Sequence, residues 1–335
     1  MKKLLAIVLV ACLALSLVAC GGAASSSTPA STAASSAAAS TAEKTEGGAK
    51  VGVCIYKFDD NFMTLYRQEL ETYLKDKGCE VTVVDGKNDQ AEQTNQINTF
   101  IANGVDVLIV NLVQSSAAAT VIDLAKAADI PVIFINREPT AEDMKLWDKI
   151  AYVGADARQS GTFQGEIIAA TENKGDFNGN GTVDYVMIVG DPENVDAQYR
   201  TEFSIKALED AGLKVNKLFE QRGDWDQAKG QELAATALSQ FGDKIDVIFC
   251  NNDGMALGAY QAITAAGRTV GKDIYLVGVD ALEECQAMVK EGTMTGTVLN
   301  DHIGQSHKAA DVALEAVAGK ALEKNYTVDY VKVTK

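Results

Sequence analysis

Short, uninterrupted hydrophobic runs alternate with amphipathic stretches from residue 50 onward. The runs predict strands over 51–56, 81–84, 107–110 and 131–135, and the stretches between them predict helices over 65–74, 90–102 and 117–128. Strands of this kind are typical of a parallel sheet that is covered by helices on both faces. This part of the chain is therefore predicted to form an α/β lobe.

The same alternation restarts after Ile150. Five further strands are predicted over 185–189, 215–219, 247–250, 275–279 and 295–299, with helical stretches between them. A chain of 335 residues is long enough for two domains of ordinary size. We therefore predict an α/β protein with two lobes, each built on its own sheet.

The N-terminus does not follow this pattern. Residues 4–19 form one hydrophobic run after two lysines, and the run is shorter than the roughly 20 residues that a membrane-spanning helix needs. With Ala19 before Cys20 and glycines after it, residues 1–20 resemble a bacterial lipoprotein signal peptide. Cys20 is then the expected lipidation site, which anchors the protein to the cell membrane on its extracytoplasmic side.

Residues 21–49 consist almost wholly of glycine, alanine, serine and threonine. A segment of this composition buries too little hydrophobic surface to offset the entropy lost on ordering. It is predicted to be a flexible tether between the lipid anchor and the lobes.

Composition narrows the function classes. The formal net charge of −16 argues against nucleic-acid binding and against electrostatic attachment to anionic lipid. The chain has two histidines, so neither a histidine-based zinc site nor a Ser/His/Asp triad is expected. Four cysteines outside the leader form no CxxC motif, and we expect buried free thiols at Cys54, Cys79, Cys250 and Cys285.

Polar residues follow strand after strand. In open α/β sheets, ligands bind beyond the carboxyl ends of the strands. One such residue alone is typically a helix N-cap, but carboxylates and amides together with the aromatic faces of Phe62 and Trp225 suit the hydroxyl rim and C–H faces of a sugar. The strand-end residues are Asp59, Asp60, Asn111, Asn136, Arg137, Asn251, Asn252, Asp253, Asp280, Asn300 and Asp301.

Six segments, in this order, resemble the galactose/glucose-type periplasmic binding proteins. They are residues 56–63 (YKFDDNFM), 111–113 (NLV), 136–139 (NREP), 251–253 (NND), 278–282 (GVDAL) and 296–301 (GTVLND). The resemblance extends over about residues 50–335. It implies two Rossmann-like lobes, the periplasmic binding protein type I fold, joined by a three-strand hinge.

The resemblance also implies how the lobes divide the chain. The N-terminal lobe would comprise residues 50–136 and 301–325, and the C-terminal lobe residues 137–300 and 326–335. Crossings between the lobes are expected near residues 136–137, near residues 300–301 and within the last ~20 residues, where hinge closure would bury the ligand.

Ten positions are expected to bind sugar by this resemblance. Asp60 and Asn111 would contact hydroxyls from the first lobe, with Phe62 stacked on one face of the ring. From the second lobe Asp196 and Arg200 would hold the anomeric side, Asn252, Asp280 and Asn300 the other hydroxyls, and Trp225 the second face. Asn194 stands where the family typically has a histidine, so this position bears on which epimer is preferred.

The implied function is a receptor that captures a galactose- or glucose-type hexose and delivers it to the membrane permease of an ABC transporter. A chemoreceptor is a further candidate partner, and we expect a monomer. Receptors of the same fold for ribose, xylose or methyl-galactoside are alternatives. A glycosidase is a less favoured alternative. It stays open because Asp60, Asp196 and Asp280 are carboxylates, the groups that such an enzyme needs. A DNA-binding repressor is excluded because residues 1–49 hold no helix-turn-helix, and no enzymatic activity is expected.

Residues 176–184 have the spacing of an EF-hand calcium loop, with Gly181 at the sharp turn. Position 12 is Met187 instead of glutamate, and residues 185–189 read as a strand, so a solvated turn without metal is the alternative. The resemblance favours calcium, because the family supplies the missing carboxylate from the position of Asp246. The predicted structural Ca²⁺ site comprises Asp176, Asn178, Asn180, Thr182, Asp184 and Asp246.

Overall fold

The computed structural model describes residues 48–335. The predicted signal peptide, Cys20 and nearly all of the tether over 21–49 lie outside the described residues. Within residues 48–335, no helix has both the length and the hydrophobicity needed to cross a membrane.

The described chain alternates strands and helices over its whole length. The strands are β1 (Lys50–Ile55), β2 (Glu80–Asp85), β3 (Val107–Val110), β4 (Val132–Ile135), β5 (Ile150–Gly154), β6 (Val183–Val189), β7 (Val215–Arg222), β8 (Val247–Cys250), β9 (Tyr275–Val277), β10 (Thr297–Leu299), β11 (Asn325–Thr327) and β12 (Val331–Val333). The helices are α1 (Asn61–Asp76), α2 (Gln90–Ala102), α3 (Ala118–Ala127), α4 (Ala157–Ala169), α5 (Val195–Asp210), α6 (Gln227–Phe241), α7 (Asp253–Ala265), α8 (Glu283–Glu291) and α9 (His302–Val317).

The strands form two parallel sheets, which confirms the predicted fold class. The first sheet has the order β11-β5-β4-β3-β1-β2, and the second has the order β7-β6-β8-β9. A short antiparallel pair of β10 and β12 continues the second lobe, and the Val277–Gly296 and Asp280–Leu299 bridges join it to the end of β9.

Hydrophobic side chains cover both faces of each sheet. In β3, Val107 and Ile109 pack into the core beneath α1 and α9, whereas Leu108 and Val110 pack beneath α2 and α3. In β8, alternate residues likewise face two different cores. This period of two explains why the strands are hydrophobic at every position: neither face is exposed to water.

The predicted boundary between the lobes needs a correction. Strand β5 (Ile150–Gly154) pairs in register with β4 and belongs to the first sheet, although the predicted first segment of that lobe ended at residue 136. The first crossing therefore follows Gly154. The other two crossings run between Leu299 and α9 and between Thr327 and Val331.

Helix α5 is held close to α4 by small residues. An added Cβ at Gly161 would lie 2.9 Å from the carbonyl oxygen of Arg200, and one at Gly165 would lie 2.2 Å from that of Ser204. These two glycines therefore allow α5 to approach closely enough to bring its first turns to the edge of the second sheet. The four cysteines within residues 48–335 form no disulfide with one another; three are buried and Cys79 is half-buried.

Candidate functional site

The carboxyl ends of the two sheets face each other across a cleft. Polar and aromatic side chains from both lobes leave a cavity of only about 30 Å³ there, so the two walls of the cleft lie close together. The cleft is lined by Tyr56, Asp60, Phe62, Met63, Asn136, Arg137, Asn194, Asp196, Arg200, Trp225, Asn252, Asp280 and Asn300. The set includes nine of the ten side chains predicted to bind sugar.

The tenth, Asn111, is placed differently. Its side chain is fully buried behind the cleft lining, where Oδ1 accepts from the backbone N–H of Tyr56 at 3.2 Å. Its Nδ2 donates to the carbonyl of Ile135 at 3.2 Å and to Oδ1 of Asn136 at 3.1 Å. Asn111 thus ties together the ends of β1 and β4, which carry two cleft residues.

Asp60 forms the first-lobe wall as the N-cap of α1. Oδ1 accepts from the backbone N–H of Met63 at 2.7 Å, and Oδ2 accepts from the Tyr56 hydroxyl at 2.7 Å. A carboxylate has about four acceptor positions, so Asp60 can still accept from a ligand. Phe62 follows it at the start of the helix and is 5% exposed.

Arg200 is the central cation of the second-lobe wall. Its Nη1 donates to the carbonyl of Asn251 at 2.7 Å, and its Nη2 donates to the hydroxyl of Tyr330 at 3.1 Å. Within the part of the chain that the structure describes, its buried Nε has no hydrogen-bond partner. Tyr330 lies on the last crossing between the lobes, so the segment that joins the lobes directly contacts a cleft residue.

Two buried carboxylates flank this guanidinium. The Nη2–Oδ2 distance to Asp196 is 3.8 Å, and the Nη1–Oδ1 distance to Asp280 is 3.9 Å, both longer than a direct hydrogen bond. Burial raises the pKa of Asp196 to about 6, although Arg200 opposes the shift. Burial likewise raises the pKa of Asp280 well above its ordinary value. Both carboxylates therefore need hydrogen-bond donors that the protein does not fully provide.

Asn194 is the N-cap of α5. Its Oδ1 accepts from the backbone N–H of Asp196 at 3.0 Å, so its NH₂ group is the part available to the cleft. Asn252 caps α7 in the same way, and its Nδ2 donates to the carbonyl of Trp225 at 3.3 Å. Helix capping and lining of the cleft are thus combined in the same side chains.

Trp225 reaches the cleft from a strained loop. Its φ is 64° and that of Asp224 is 54°, a backbone region that non-glycine residues rarely adopt. The indole ring lies over Gly190, where an added Cβ would be 2.3 Å from the ring. Gly190 is therefore required for this position of Trp225.

Tyr56 and Arg137 line the cleft but are not among the ten positions predicted to bind sugar, although Arg137 is one of the strand-end residues. Tyr56 is the last residue of the first predicted strand, and its hydroxyl donates to Asp60 at 2.7 Å. Arg137 lies with its guanidinium 4.0 Å from the centre of the Tyr56 ring and contacts Asp191 of the second lobe at 3.4 Å. The signal available in the sequence is the position of Arg137 directly after a predicted strand; its burial is visible only in the structure.

The six residues predicted to bind calcium gather at one loop. Asp176 accepts the backbone N–H groups of Gly179, Asn180 and Gly181. The Nδ2 of Asn178 lies between two carboxylates, 3.1 Å from Oδ2 of Asp184 and 3.2 Å from Oδ2 of Asp246. In residues 48–335, no group of three or more His, Cys, Asp or Glu side chains is arranged around one metal position.

The loop nevertheless has the chemistry of a calcium site, since its side chains supply oxygen donors. A half-turn of the Asn178 amide would present Oδ1 in place of Nδ2 at the point between Asp184 and Asp246. Thr182 follows Asn180, whose Oδ1 accepts the backbone N–H of Thr182 at 2.8 Å. The NH₂ group of Asn180 also donates to Oδ2 of Asp184 at 2.8 Å, so these residues would fit a cation only with both amides rotated.

The arrangement of two lobes around a polar cleft has clear relatives. Residues 51–321 match the family described as periplasmic binding protein domain. This chain belongs to that family. It is a solute-binding protein of the extracytoplasmic type and not an enzyme.

Individual relatives share most of their length with this chain. It is 37% identical over 277 residues to the D-galactose/methyl-galactoside binding periplasmic protein MglB of Haemophilus influenzae, covering 81% of this chain and 82% of that protein. It is 28% identical to the ribose import binding protein RbsB of Bacillus subtilis, covering 82% and 83%. A solved ABC transporter solute binding protein from Bacillus halodurans, with bound myo-inositol, has a TM-score of 0.75 at 28% identity and covers 86% and 95%.

Proposed function

We propose that this protein is a lipid-anchored receptor that captures a galactose- or glucose-type hexose in the cleft and delivers it to the permease of an ABC transporter. The observation that carries the proposal is the geometry around Arg200. Its buried Nε lacks a hydrogen-bond partner among residues 48–335, and the two flanking carboxylates lie 3.8 Å and 3.9 Å from its nitrogens. Sugar hydroxyls fit such gaps, because one hydroxyl can accept from Arg200 and donate to Asp196 or Asp280.

The other side chains of the cleft suit the remaining hydroxyls and the two faces of a pyranose ring. Asp60 offers acceptor capacity from the first lobe, and Asn194, Asn252 and Asn300 offer amides from the second. Phe62 and Trp225 come from opposite lobes and provide flat faces for the C–H faces of the ring. The similarity to MglB over 81% of the chain favours galactose over the ribose of the more distant relatives.

Isothermal titration with galactose, glucose and methyl-galactoside tests the ligand. We expect at least one of them to bind more tightly than ribose, xylose and myo-inositol, which serve as comparison ligands. Asp280→Ala should abolish binding of the preferred sugar, because the carboxylate faces the cleft. If none of the three hexoses binds, the ligand assignment is wrong.

The lipid anchor rests on Cys20 and has its own test. The wild-type protein expressed in a bacterial host should fractionate with membranes and enter the detergent phase on phase separation. Cys20→Ser should move it to the aqueous phase without changing sugar affinity. Wild-type protein found only in the aqueous phase would contradict the anchor.

We also propose that the loop over 176–184 binds Ca²⁺ as a structural ion, with the six residues described above as ligands. Carboxylates held near one another repel, so a cation between them would stabilise the second lobe. The melting temperature should fall on addition of a chelator and recover with excess Ca²⁺. Asp246→Asn is the matched variant, and its melting temperature should respond less to Ca²⁺; an unchanged wild-type melting temperature would refute the site.

A further inference from the structure

The turn that carries Asp280 into the cleft has a strained backbone. Asp280 has a φ of 120° and Ala281 a φ of 51°, values that cost non-glycine residues about 1–3 kcal/mol each. Such conformations persist only when neighbouring groups hold them. The turn follows β9, at the edge of the cleft.

A buried carboxylate holds the turn. Asp253 is fully buried and does not line the cleft. Its Oδ2 accepts from the backbone N–H of Leu282 at 2.9 Å, and its own backbone N–H donates to the carbonyl of Val279 at 2.7 Å. One residue therefore bonds the turn on both sides of Asp280 and Ala281.

Thr297 of β10 completes this clamp. Its hydroxyl donates to Oδ1 of Asp253 at 2.7 Å and accepts from the backbone N–H of Ala281 at 3.3 Å. Further along the same segment, Nδ2 of Asn300 donates to Oδ1 of Asp280 at 3.3 Å. The backbone and the carboxylate of Asp280 are thus both tied to the segment that crosses between the lobes.

Burying the Asp253 carboxylate requires glycine at position 278 and places a charge in the core. A Cβ at Gly278 would lie 2.2 Å from Oδ1 of Asp253, so only glycine fits there. Burial raises the pKa of Asp253 to about 6, while the hydrogen bonds from Thr297 and Leu282 oppose the shift. A buried charge destabilises the fold unless hydrogen bonds or an opposite charge compensate it, and here Thr297 and Leu282 supply those hydrogen bonds.

We infer that Asp253 is a positioning residue that, with Thr297, sets the orientation of the Asp280 carboxylate for the sugar. This inference rests on the proposed function, because Asp280 is taken to contact the ligand. Asp253 immediately follows Asn252 in the chain. The start of α7 therefore provides Asn252, which lines the cleft, and Asp253, which orients Asp280.

The test compares the sugar Kd with the melting temperature of the ligand-free protein. Thr297→Val removes the hydroxyl at nearly constant volume and should raise the Kd about tenfold, the effect of losing one hydrogen bond to a charged group. Thr297→Ser keeps the hydroxyl and should retain an affinity close to wild type. Asp253→Asn places an NH₂ group opposite a donor and should raise the Kd at least as much as Thr297→Val.

Ile263→Val is the matched control for stability alone, because Ile263 is fully buried in the same helix. It should lower the melting temperature by a few degrees and leave the Kd unchanged. If circular dichroism shows that Asp253→Asn does not fold, the comparison of Thr297→Val with Thr297→Ser tests the inference alone. Wild-type Kd in Thr297→Val overturns the inference, whereas a wild-type protein that binds no hexose overturns the proposed function instead.

Discussion

Replacing Asp191 by Asn should weaken sugar binding without destabilising the ligand-free protein. Asp191 follows β6 in the second lobe, and its Oδ2 lies 3.4 Å from Nη1 of Arg137, which follows β4 in the first lobe. Arg137 is otherwise held by the carbonyl of Val113 at 2.6 Å. The ion pair therefore spans the two lobes and is lost when they separate.

The size of the effect follows from the burial of the pair. Its side chains are 3% and 15% exposed, and at 3.4 Å with an effective dielectric constant of about 20 the attraction is about 5 kcal/mol before desolvation. Desolvation offsets much of this, and Arg222 also contacts Asp191 at 3.3 Å. A net contribution of about 1–2 kcal/mol to the closed form corresponds to about a 5–30-fold loss of affinity.

Isothermal titration and thermal unfolding together test this prediction. The Asp191→Asn variant should show the higher Kd, while its ligand-free melting temperature should stay close to that of wild type. Water solvates Arg137 once the lobes part, and the pair that Asp191 keeps with the exposed Arg222 contributes little. Asp210→Asn is the control, since Asp210 pairs with Lys206 on the exposed face of α5. Equal Kd values for wild type and Asp191→Asn would refute a closure contact at this position.

Two further predictions concern stability. Gly165→Ala should destabilise the protein by about 1–3 kcal/mol in urea unfolding, because the new Cβ would lie 2.2 Å from the carbonyl oxygen of Ser204; a variant as stable as wild type would show that α4 and α5 can move apart freely. The pKa of Asp196, raised to about 6 from an ordinary 3.8, means that the folded form holds a proton between these pH values that the unfolded chain has released. In the closed form the folded protein should therefore lose up to about 3 kcal/mol of stability as pH rises from about 4 to above 6, a loss that Asp196→Asn should not show. Urea unfolding of both proteins across this range checks the difference, which should vanish near pH 4.

Much of the fold could be predicted because the local pattern of hydrophobic and polar residues determines where many of the strands and helices lie. Helix α2 and strands β3 and β8 have the predicted bounds, since each is a continuous pattern ended by clear turn residues. Strand β5 is not among the predicted strands, and the lobe boundary implied by the resemblance lies before it; only a short 3₁₀ turn over Asp143–Lys145 separates it from β4. Its pairing with β4 and β11 joins residues that are distant in the chain, so no local sequence pattern indicates it.

The site could be predicted to the level of strand ends, but not to the direction of each side chain. Asn111 ends a strand like the others, yet it turns away from the cleft because Asn136, with a φ of 59°, offers it a partner. The side chains of Tyr56 and Arg137 are positioned by contacts with each other and with other residues far away in the chain. The clamp of Asp253 and Thr297 is likewise visible only after β9 and β10 lie side by side.

A crystal structure of the protein grown with galactose would test the central claim most directly. The account predicts one pyranose between Phe62 and Trp225, with a hydroxyl oxygen within hydrogen-bond distance of Nε of Arg200 and a second contact to Asp196 or Asp280. A sugar bound elsewhere, or a cleft in which the guanidinium and both carboxylates contact no ligand, would contradict it.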